Sequence, residues 1–194
     1  MASIRYLERW YNHGIVKRQI EKILRHRKKE KITGENLKAS AVLIPIFHNR
    51  GQYHILFTER SDAVVFHKGQ VCFPGGTQEP SDASLLQTAL REVEEEIGLE
   101  AKDIEILGEL DDITTLVTSY VISPFVALIP YPDSLKTNGR EVKGAFSVPL
   151  SFLMDEANFK RDSYAYEYEG HIIWGATARI LRQFIDLLKS ESGA

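Results

Sequence analysis

The segment DASLLQTALREVEEEIGL, residues 82–99, is the part of the sequence that most restricts the fold. Its apolar residues recur at helical spacing and predict one helix with a buried face, formed by Leu86, Leu90, Val93 and Ile97. Asp82 is predicted to cap the N-terminus of this helix, and Gly98 is predicted to end it. We therefore expect a central helix that packs against other elements through this face.

The spacing of the glutamates in this helix places three of them on one face and leaves the fourth on another. Glu92, Glu95 and Glu96 follow the i, i+3, i+4 rule and share one face, whereas Glu94 points elsewhere and is predicted to be dispensable. Like charges crowded in this way destabilise an isolated helix by about 0.2–0.5 kcal/mol per pair. A hard divalent cation would reverse that effect, because Mg²⁺ and Mn²⁺ prefer carboxylate oxygens. A solvated acidic face is the alternative interpretation.

A glycine-containing loop, FPGG at residues 73–76, lies shortly before the acidic helix. Paired glycines allow positive φ angles and a close approach of the backbone to other groups. Such a loop can fold back across the helix and bring amide N–H groups to a phosphate. Together, the loop and the acids are predicted to bind a metal–pyrophosphate complex.

Short strand-like segments surround this helix. ASAVLIPIF and YHILFTER, joined by HNRGQ, predict one β-hairpin, and YAYEYEGHIIWG predicts another. Further strands are predicted at IEILGELD, SYVISPFVALI and GAFSVPLSFL, and ATARILRQFIDLLKS predicts an amphipathic helix. This order predicts an α+β sandwich with a mixed β-sheet. Residues 1–38 are interpreted as an N-terminal helical extension, and residues 39–194 as one domain.

Composition and charge exclude several classes of protein. The net charge of -3 and the pI of about 6.1 offer no argument for a nucleic-acid partner. The single cysteine, Cys72, excludes an internal disulfide framework and favours a reducing compartment. No apolar run has the length of a transmembrane helix, and the first residues lack the apolar core of a signal peptide. We expect a cytoplasmic protein without a membrane partner.

The basic run RHRKKEK, residues 25–31, is interpreted as a solvated helix end, with an RNA or membrane patch as the alternative. Cys72 is assigned to a small buried apolar position rather than to a nucleophile. Trp174 is assigned to the core, with stacking on a nucleotide base as the alternative.

Residues 76–99 resemble the Nudix box, which is written G-x5-E-x7-R-E-U-x-E-E-x-G-U with U aliphatic. The second half of the box is filled without exception, by Arg91, Glu92, Val93, Glu95, Glu96, Gly98 and Leu99. The first half departs from the pattern, because Asp82 occupies the position of the first glutamate and one extra residue precedes Arg91.

An acid substitution and an extra residue of this kind are also found in the coenzyme A pyrophosphatase branch of the Nudix hydrolases, which the sequence resembles here. The upstream signature of that branch resembles L-L-T-x-R-S…R…G-x3-F-P-G-G, and residues 56–76 read LFTERSDAVVFHKGQVCFPGG. The matching residues are Leu56, Thr58, Arg60, Ser61, Gly69, Phe73, Pro74, Gly75 and Gly76. Val65 stands where the signature has its second arginine. The resemblance covers about residues 39–188.

The resemblance implies the Nudix α/β/α sandwich and a metal-dependent hydrolase. Its implied substrate is coenzyme A or an acyl-CoA, cleaved at the pyrophosphate to (acyl-)4′-phosphopantetheine and adenosine 3′,5′-bisphosphate. Glu92, Glu95 and Glu96 are implied to bind Mg²⁺ or Mn²⁺, which lower the pKa of a bound water. Arg91 is implied to orient a box glutamate, with an ordinary surface pair to Glu95 as the alternative.

Several residues outside the box receive roles from the same resemblance. Glu141 in GREV is implied to be an additional catalytic acid, either a metal ligand or a general base, with Glu109, Asp111 and Asp112 as rivals. Contacts to the substrate are expected from residues of the upstream segment and the glycine loop, namely Arg60, Ser61, His67, Gln70, Gly75 and Gly76.

Two other functions remain open at the level of sequence. Val65 favours a different nucleoside diphosphate derivative, such as ADP-ribose, NADH, a dinucleoside polyphosphate or a damaged nucleoside triphosphate. A catalytically inactive, nucleotide-binding regulatory module is the alternative of another class, although such a module can dispense with the acids that are present here. Because Nudix proteins are often dimers, a homodimer is also an expectation.

Overall fold

The computed structural model describes residues 13–25, 27–61, 69–115, 119–133 and 135–190, and it describes side chains of the first helix from Lys17 onward. Within these residues the α-helices are α1 (His13–Arg25), α2 (Leu85–Ile97), α3 (Leu150–Met154) and α4 (Gly175–Ser190). The strands are β1 (Lys38–Asn49), β2 (Gln52–Arg60), β3 (Val71–Cys72), β4 (Gly75–Thr77), β5 (Glu105–Glu109), β6 (Ile113–Thr114), β7 (Tyr120–Leu128), β8 (Val142–Pro149), β9 (Phe159–Lys160), β10 (Ala165–Tyr168) and β11 (His171–Ile173). Short 3₁₀ turns follow α2 and α3, at Ala101–Asp103 and Glu156–Asn158.

A mixed sheet of eight strands forms the middle layer. Its main order is β3-β2-β1-β7-β5, while β4 pairs with β1, β6 with β7, and β8 with β2. Strands β1 and β7 run parallel, and the other pairs are antiparallel. Strands β9, β10 and β11 form a separate antiparallel sheet. The parallel pair at the centre makes the sheet mixed, as predicted.

Both predicted hairpins are confirmed. Strands β1 and β2 are joined by Arg50 and Gly51, whose φ angles are 46° and 84°. Strands β10 and β11 are joined by Glu169 and Gly170, with φ angles of 48° and 84°. Two successive residues with positive φ are typical of the two-residue turn that matches the twist of antiparallel strands. The predicted strand GAFSVPLSFL is wrong in its second half, because β8 ends at Pro149, which has no N–H for a sheet.

Side chains of the central strands alternate between two cores. Ala41, Leu43 and Phe47 of β1 lie on the face covered by α2, with Val93 and Ile97. The intervening residues lie on the opposite face, which α1 and α4 cover: Ile44 and Ile46 from β1, Ile20 and Leu24 from α1, and Leu181 and Phe184 from α4. Alternation is the rule in a strand, because successive side chains point to opposite faces. The predicted α+β class, with a mixed sheet between helical layers, is confirmed.

Helix α1 and the basic segment after it pack against the rest of the chain. Ile20 is fully buried, so this helix contributes to the core on the face of the sheet that α4 also covers. Beyond the helix, Arg27 forms an ion pair with Asp111, and Lys29 lies 2.9 Å from carboxylate oxygens of both Glu109 and Asp112. The basic run is therefore partly neutralised by acids at the end of β5 and in the loop that follows it. The division into residues 1–38 and 39–194 stays a prediction.

Trp174 lies at the surface, where 49% of the residue is exposed, and its predicted core position is wrong. It follows β11, whose alternation buries Ile173 and turns the residues on either side outward. No helix within the described ranges is long and apolar enough to cross a membrane.

Replacing Gly108 of β5 with alanine should loosen α1. A Cβ atom at this position would lie 2.5 Å from the Cβ of Leu24, which cannot move without the helix. Such overpacking is expected to lower the free energy of unfolding by about 1–3 kcal/mol. Urea unfolding of Gly108→Ala would measure the change. The matched control is Gly144→Ala in β8, where no described atom lies within 4 Å of the added carbon. Equal stability of the two variants would contradict the contact between α1 and β5.

Candidate active site

Helix α2 begins at Leu85 and is capped by Ser84, whose side chain accepts a hydrogen bond from the Gln87 N–H. The prediction of Asp82 as the N-cap is wrong, because its carboxylate binds other groups. The predicted end of the helix is confirmed. Gly98 has a φ of 71°, and its N–H donates to the Glu94 carbonyl oxygen at 2.9 Å.

Three glutamate side chains converge beside this helix. Glu92 and Glu96 project from successive turns of α2, and Glu141 precedes β8. One carboxylate oxygen from each of the three lies within 4.8 Å of the other two. Glu96 is buried, Glu92 is half-buried and Glu141 is exposed. The cluster is therefore open to solvent on the side of Glu141 and closed on the side of Glu96.

Glu96 is 1% exposed, and its carboxyl group lies against the glycine loop. Its Oε2 accepts a hydrogen bond of 3.2 Å from the Gly75 N–H. Burial, together with the charges of Glu92 and Glu141, raises the pKa of Glu96 to about 8, although the Gly75 hydrogen bond and the Arg60 charge oppose the rise. Desolvation also raises the pKa of Glu92. A bound cation would compensate the charge of Glu92 and Glu96 and would therefore favour their ionised forms.

The Arg91 guanidinium holds the helix, the loop before it and one acid of the cluster together. Its Nη2 lies 3.0 Å from Glu92 Oε1 and 3.2 Å from the Thr77 carbonyl oxygen. Its Nη1 also reaches Glu95 at 3.3 Å, so the surface pair and the orienting contact coexist. Arg91 thus contacts one of the clustered glutamates directly, and it has further partners that a surface pair alone would lack.

Asp82 is the second partner of Arg91. Its side chain is 2% exposed and accepts bonds of 3.1 Å from both Nε and Nη2 of Arg91. It also accepts from the Glu79 N–H at 2.9 Å and the Thr88 hydroxyl at 3.0 Å. The Arg91 bonds, with those from Glu79 and Thr88, lower the pKa of Asp82 to about 2. Asp82 therefore stays ionised and anchors Arg91, a pairing that we did not predict.

The glycine loop approaches the acids so closely that larger residues would collide with them or with β1. Gly75 has a φ of 149°, and a Cβ there would lie 2.2 Å from the Ala41 carbonyl oxygen. At Gly76 a Cβ would lie 2.3 Å from Glu92 Oε1. Strand β4 pairs with β1 through these residues. In this structure the Gly75 N–H donates to Glu96, whereas the sequence predicted a donor to phosphate. Its contact with a substrate stays a prediction.

The remaining predicted acids lie outside the cluster. The Glu95 side chain is 57% exposed and pairs with Arg91 rather than with the clustered acids, so its role as a metal ligand stays a prediction. Of the rivals of Glu141, Glu109 and Asp112 pair with Lys29, and Asp111 pairs with Arg27. Those pairs place the rivals at the contact with the basic segment.

Of the predicted substrate-binding residues, Arg60 is the last residue of β2 and Ser61 follows it. The Ser61 N–H donates to the Glu141 carbonyl oxygen at 2.8 Å, and the Arg60 N–H donates to the Gln70 carbonyl oxygen at 3.0 Å. Arg60 Nε is buried without a hydrogen-bond partner among the described residues. His67 and Val65 lie outside the described residues.

Cys72 is a free thiol, and burial raises its pKa to about 11, which is consistent with an inert position.

Comparison with known proteins identifies the family. The model of the NUDIX domain matches residues 37–167. A protein of Photorhabdus laumondii named "Uncharacterized Nudix hydrolase NudL" is 36% identical over 159 residues, which cover 77% of this chain and 84% of that protein. The chain is a Nudix hydrolase.

Solved Nudix structures share its fold. A MutT/nudix family protein from Enterococcus faecalis superposes on this Nudix hydrolase with a TM-score of 0.58 at 16% identity, covering 95% of this chain and 72% of that one. The Nudix domain of Shewanella oneidensis NrtR, complexed with ADP ribose, gives a TM-score of 0.56 at 16% identity, covering 83% and 91%. At such identities the likeness shows the fold alone.

The clustered side chains of this Nudix hydrolase fit a hard divalent cation, which Nudix enzymes generally use. All three donors are carboxylates, the ligand type that Mg²⁺ and Mn²⁺ prefer. A cation would also offset the cost of ionising Glu96 in its buried position.

Asn138, whose side chain accepts hydrogen bonds from the backbone N–H groups of Glu141 and Val142, was not predicted from the sequence. Its one signal is the dipeptide Asn138-Gly139, directly before Arg140, because Asn-Gly marks a turn.

Gly76→Ala is expected to impair the site without unfolding the protein. The added methyl group would meet the end of the flexible Glu92 side chain, so the carboxylate can swing away at small cost in stability. Because misplacement of a reacting group by about 1 Å can cost 100-fold, kcat should fall at least tenfold. Steady-state kinetics and thermal unfolding would measure both effects. Gly75→Ala provides the contrast, because there the methyl group meets backbone and should destabilise the fold. Full activity of Gly76→Ala would contradict this placement of Glu92.

Glu96→Gln is expected to stabilise the metal-free protein above neutral pH. The pKa of Glu96 is about 8 in the folded state against an ordinary value of 4.5, so between these values the folded state keeps a proton that the unfolded state has lost. The free energy of unfolding therefore falls as pH rises through this window. Glutamine has no charge to bury, and each kcal/mol recovered should raise the midpoint of unfolding by about 2–4 °C.

Thermal unfolding in EDTA from pH 5 to 9 would measure this effect. The control is Glu94→Gln, which alters an exposed residue of the same helix and should keep the pH dependence of the wild type. If Glu96→Gln and the wild type lost stability in parallel as pH rose, the raised pKa of Glu96 would be refuted.

Proposed function

We propose that this Nudix hydrolase cleaves the pyrophosphate of coenzyme A or an acyl-CoA, with Mg²⁺ or Mn²⁺ held by Glu92, Glu96 and Glu141. The products would be 4′-phosphopantetheine, or its acyl form, and adenosine 3′,5′-bisphosphate. The observation that carries the proposed chemistry is the convergence of these three carboxylates within 4.8 Å around a buried acid. Glu95, which is exposed and pairs with Arg91, is proposed as a further ligand that engages when the cation binds.

The assignment of coenzyme A as substrate is supported by the upstream sequence. Residues 56–76 resemble the signature of the coenzyme A pyrophosphatase branch, and two residues of that segment act on the buried acid of the cluster. Arg60 lies close enough for its charge to act on Glu96, and the Gly75 N–H donates a hydrogen bond to the same acid. We therefore expect residues of this segment to contact the pyrophosphate.

A bound divalent cation would supply charge neutralisation at the pyrophosphate and would lower the pKa of an attacking water. The residues of the chain have distinct roles around it. Arg91, anchored by Asp82, orients the Glu92 carboxylate through a hydrogen bond of 3.0 Å. Glu141 is exposed, so its carboxylate can accept a proton from water at the open side of the cluster.

Arg60 is proposed to bind a phosphate of the substrate. Its Nε has no hydrogen-bond partner among the described residues, although it is buried. A guanidinium group presents a planar set of donors that matches two phosphate oxygens. Ser61, Gln70 and His67 are proposed to line the same part of the substrate site, which begins where β2 ends.

A second substrate class is favoured by one specific observation. Val65 occupies the position where the coenzyme A signature has an arginine, and loss of that cation removes one group that could recognise a phosphate of coenzyme A. A nucleoside diphosphate derivative without a 3′-phosphate, such as ADP-ribose, would not need that cation. The bound ADP ribose of the NrtR Nudix domain shows that a related fold accommodates this ligand in that protein.

Incubation of the protein with coenzyme A, acetyl-CoA, ADP-ribose, NADH, a dinucleoside polyphosphate and a damaged nucleoside triphosphate, each with Mg²⁺ or Mn²⁺, would test the substrate. We expect the highest kcat/KM with a coenzyme A compound and no turnover in EDTA. Glu92→Gln, Glu96→Gln and Glu141→Gln should each lower kcat by about 100-fold or more, because each removes a charge from the cluster.

Glu94→Gln is the matched control, since Glu94 is an exposed glutamate of the same helix outside the cluster. It should retain the activity of the wild type. Brisk turnover of ADP-ribose with none of coenzyme A would reject the coenzyme A assignment and keep the hydrolase. Full activity in all three cluster variants would place the chemistry elsewhere.

A further inference from the structure

We propose that Asn138 is a positioning residue that holds Glu141 against the acids of α2, an inference that rests on the proposed function. Three hydrogen bonds carry it. The Asn138 N–H donates to the Glu96 carbonyl oxygen at 3.2 Å. Its Oδ1 accepts from the N–H groups of Glu141 at 2.9 Å and of Val142 at 3.2 Å. A single residue therefore connects the backbones of two of the three clustered glutamates.

The first of these bonds fastens the loop to the end of α2. The last carbonyl groups of a helix have no partner within it, and they must be satisfied from outside. The Lys136 N–H donates to the Ile97 carbonyl oxygen at 3.1 Å, and Asn138 provides the donor for Glu96. The loop is thus held to the same helical turn that bears the buried Glu96 carboxyl group.

The other two bonds hold the peptide that carries Glu141. Asn and Asp have short polar side chains that readily accept hydrogen bonds from N–H groups of the nearby backbone. Gly139, with a φ of 65°, allows the chain to turn between Asn138 and Glu141. The Glu141 carbonyl oxygen is held separately by the Ser61 N–H, at 2.8 Å. Both sides of residue 141 are therefore fixed by hydrogen bonds.

Backbone placement matters here because the Glu141 carboxylate has little else to hold it. The side chain is exposed, and among the described residues no hydrogen bond or ion pair to its carboxylate is formed. Its distance from Glu92 and Glu96 consequently depends on where the backbone of residue 141 lies. Loss of the Asn138 bonds would leave that backbone attached through the Ser61 bond and the start of β8.

Asn138→Ala is expected to weaken Mn²⁺ binding about tenfold, as is usual when a residue that orients a metal ligand is removed. Hydrolysis should show kcat lowered about tenfold with KM little changed. Asn138→Asp keeps an oxygen at the same distance from the backbone, so its Mn²⁺ affinity and kcat should stay within about twofold of the wild-type values. Asn138→Gln moves the carbonyl by one methylene and should resemble the alanine variant.

Two readouts do not depend on hydrolysis. Titration with Mn²⁺ in the absence of substrate, followed by the electron paramagnetic resonance of the free ion, gives the dissociation constant. Hydrogen exchange of the metal-free protein reports on the Glu141 and Val142 amides, which should exchange faster in Asn138→Ala. The matched control is Asn158→Ala, which also breaks a bond between an asparagine side chain and the backbone, at the Phe152 carbonyl oxygen. It should leave Mn²⁺ affinity unchanged.

The outcomes separate this inference from the proposed function. Unchanged Mn²⁺ affinity and amide exchange in Asn138→Ala, with an active wild type, would overturn the role of Asn138 alone. A wild-type protein that neither binds Mn²⁺ nor hydrolyses any substrate of the panel would overturn the proposed function. Should the alanine variant fail to fold, the Asp and Gln variants decide, and equal Mn²⁺ affinity in those two also overturns the role of Asn138.

Discussion

Burial of the Glu96 carboxyl group is the constraint on which the rest of the site depends. A carboxylate removed from water is costly unless nearby groups compensate its charge. Here the Gly75 N–H and the Arg60 guanidinium give partial compensation, and the pKa of Glu96 still stands near 8. The loop must therefore pass close to the helix, and a Cβ atom at Gly75 would collide with the β1 backbone, whereas one at Gly76 would displace the Glu92 carboxylate. Neighbouring acids then lie where a shared cation would stabilise all of them.

Features that depend on local periodicity could be predicted from the sequence. The apolar spacing of α2, its end at Gly98 and the two hairpins all follow from interactions between residues close together in the chain. The i, i+4 relation of Glu92 and Glu96 belongs to the same class, because a helix determines it alone. The sheet order and the partner of Arg91 required knowledge of how distant segments meet.

Where prediction failed, a contact between separate segments outweighed a local preference. Asp82 is a good N-cap residue by type, yet Arg91, nine residues away, binds its carboxylate, and Ser84 caps the helix instead. Asn138 carries no periodic signal, and its hydrogen bond to Glu96 forms only where the loop reaches the end of α2. The surface position of Trp174 likewise reflects the alternation of β11, whose register the sequence did not reveal.

The parallel pairing of β1 with β7 has a consequence for how the protein is made. These central strands are far apart in sequence, and a contact of that kind closes a long loop, which slows folding. During synthesis, β1, the glycine loop and α2 all leave the ribosome before β7, and Glu141 follows later still. The acids of α2 therefore precede the sheet edge that completes their cluster. If Glu141 completes the cluster as proposed, hydrolytic competence requires that synthesis has passed residue 141 and that the central strands have paired.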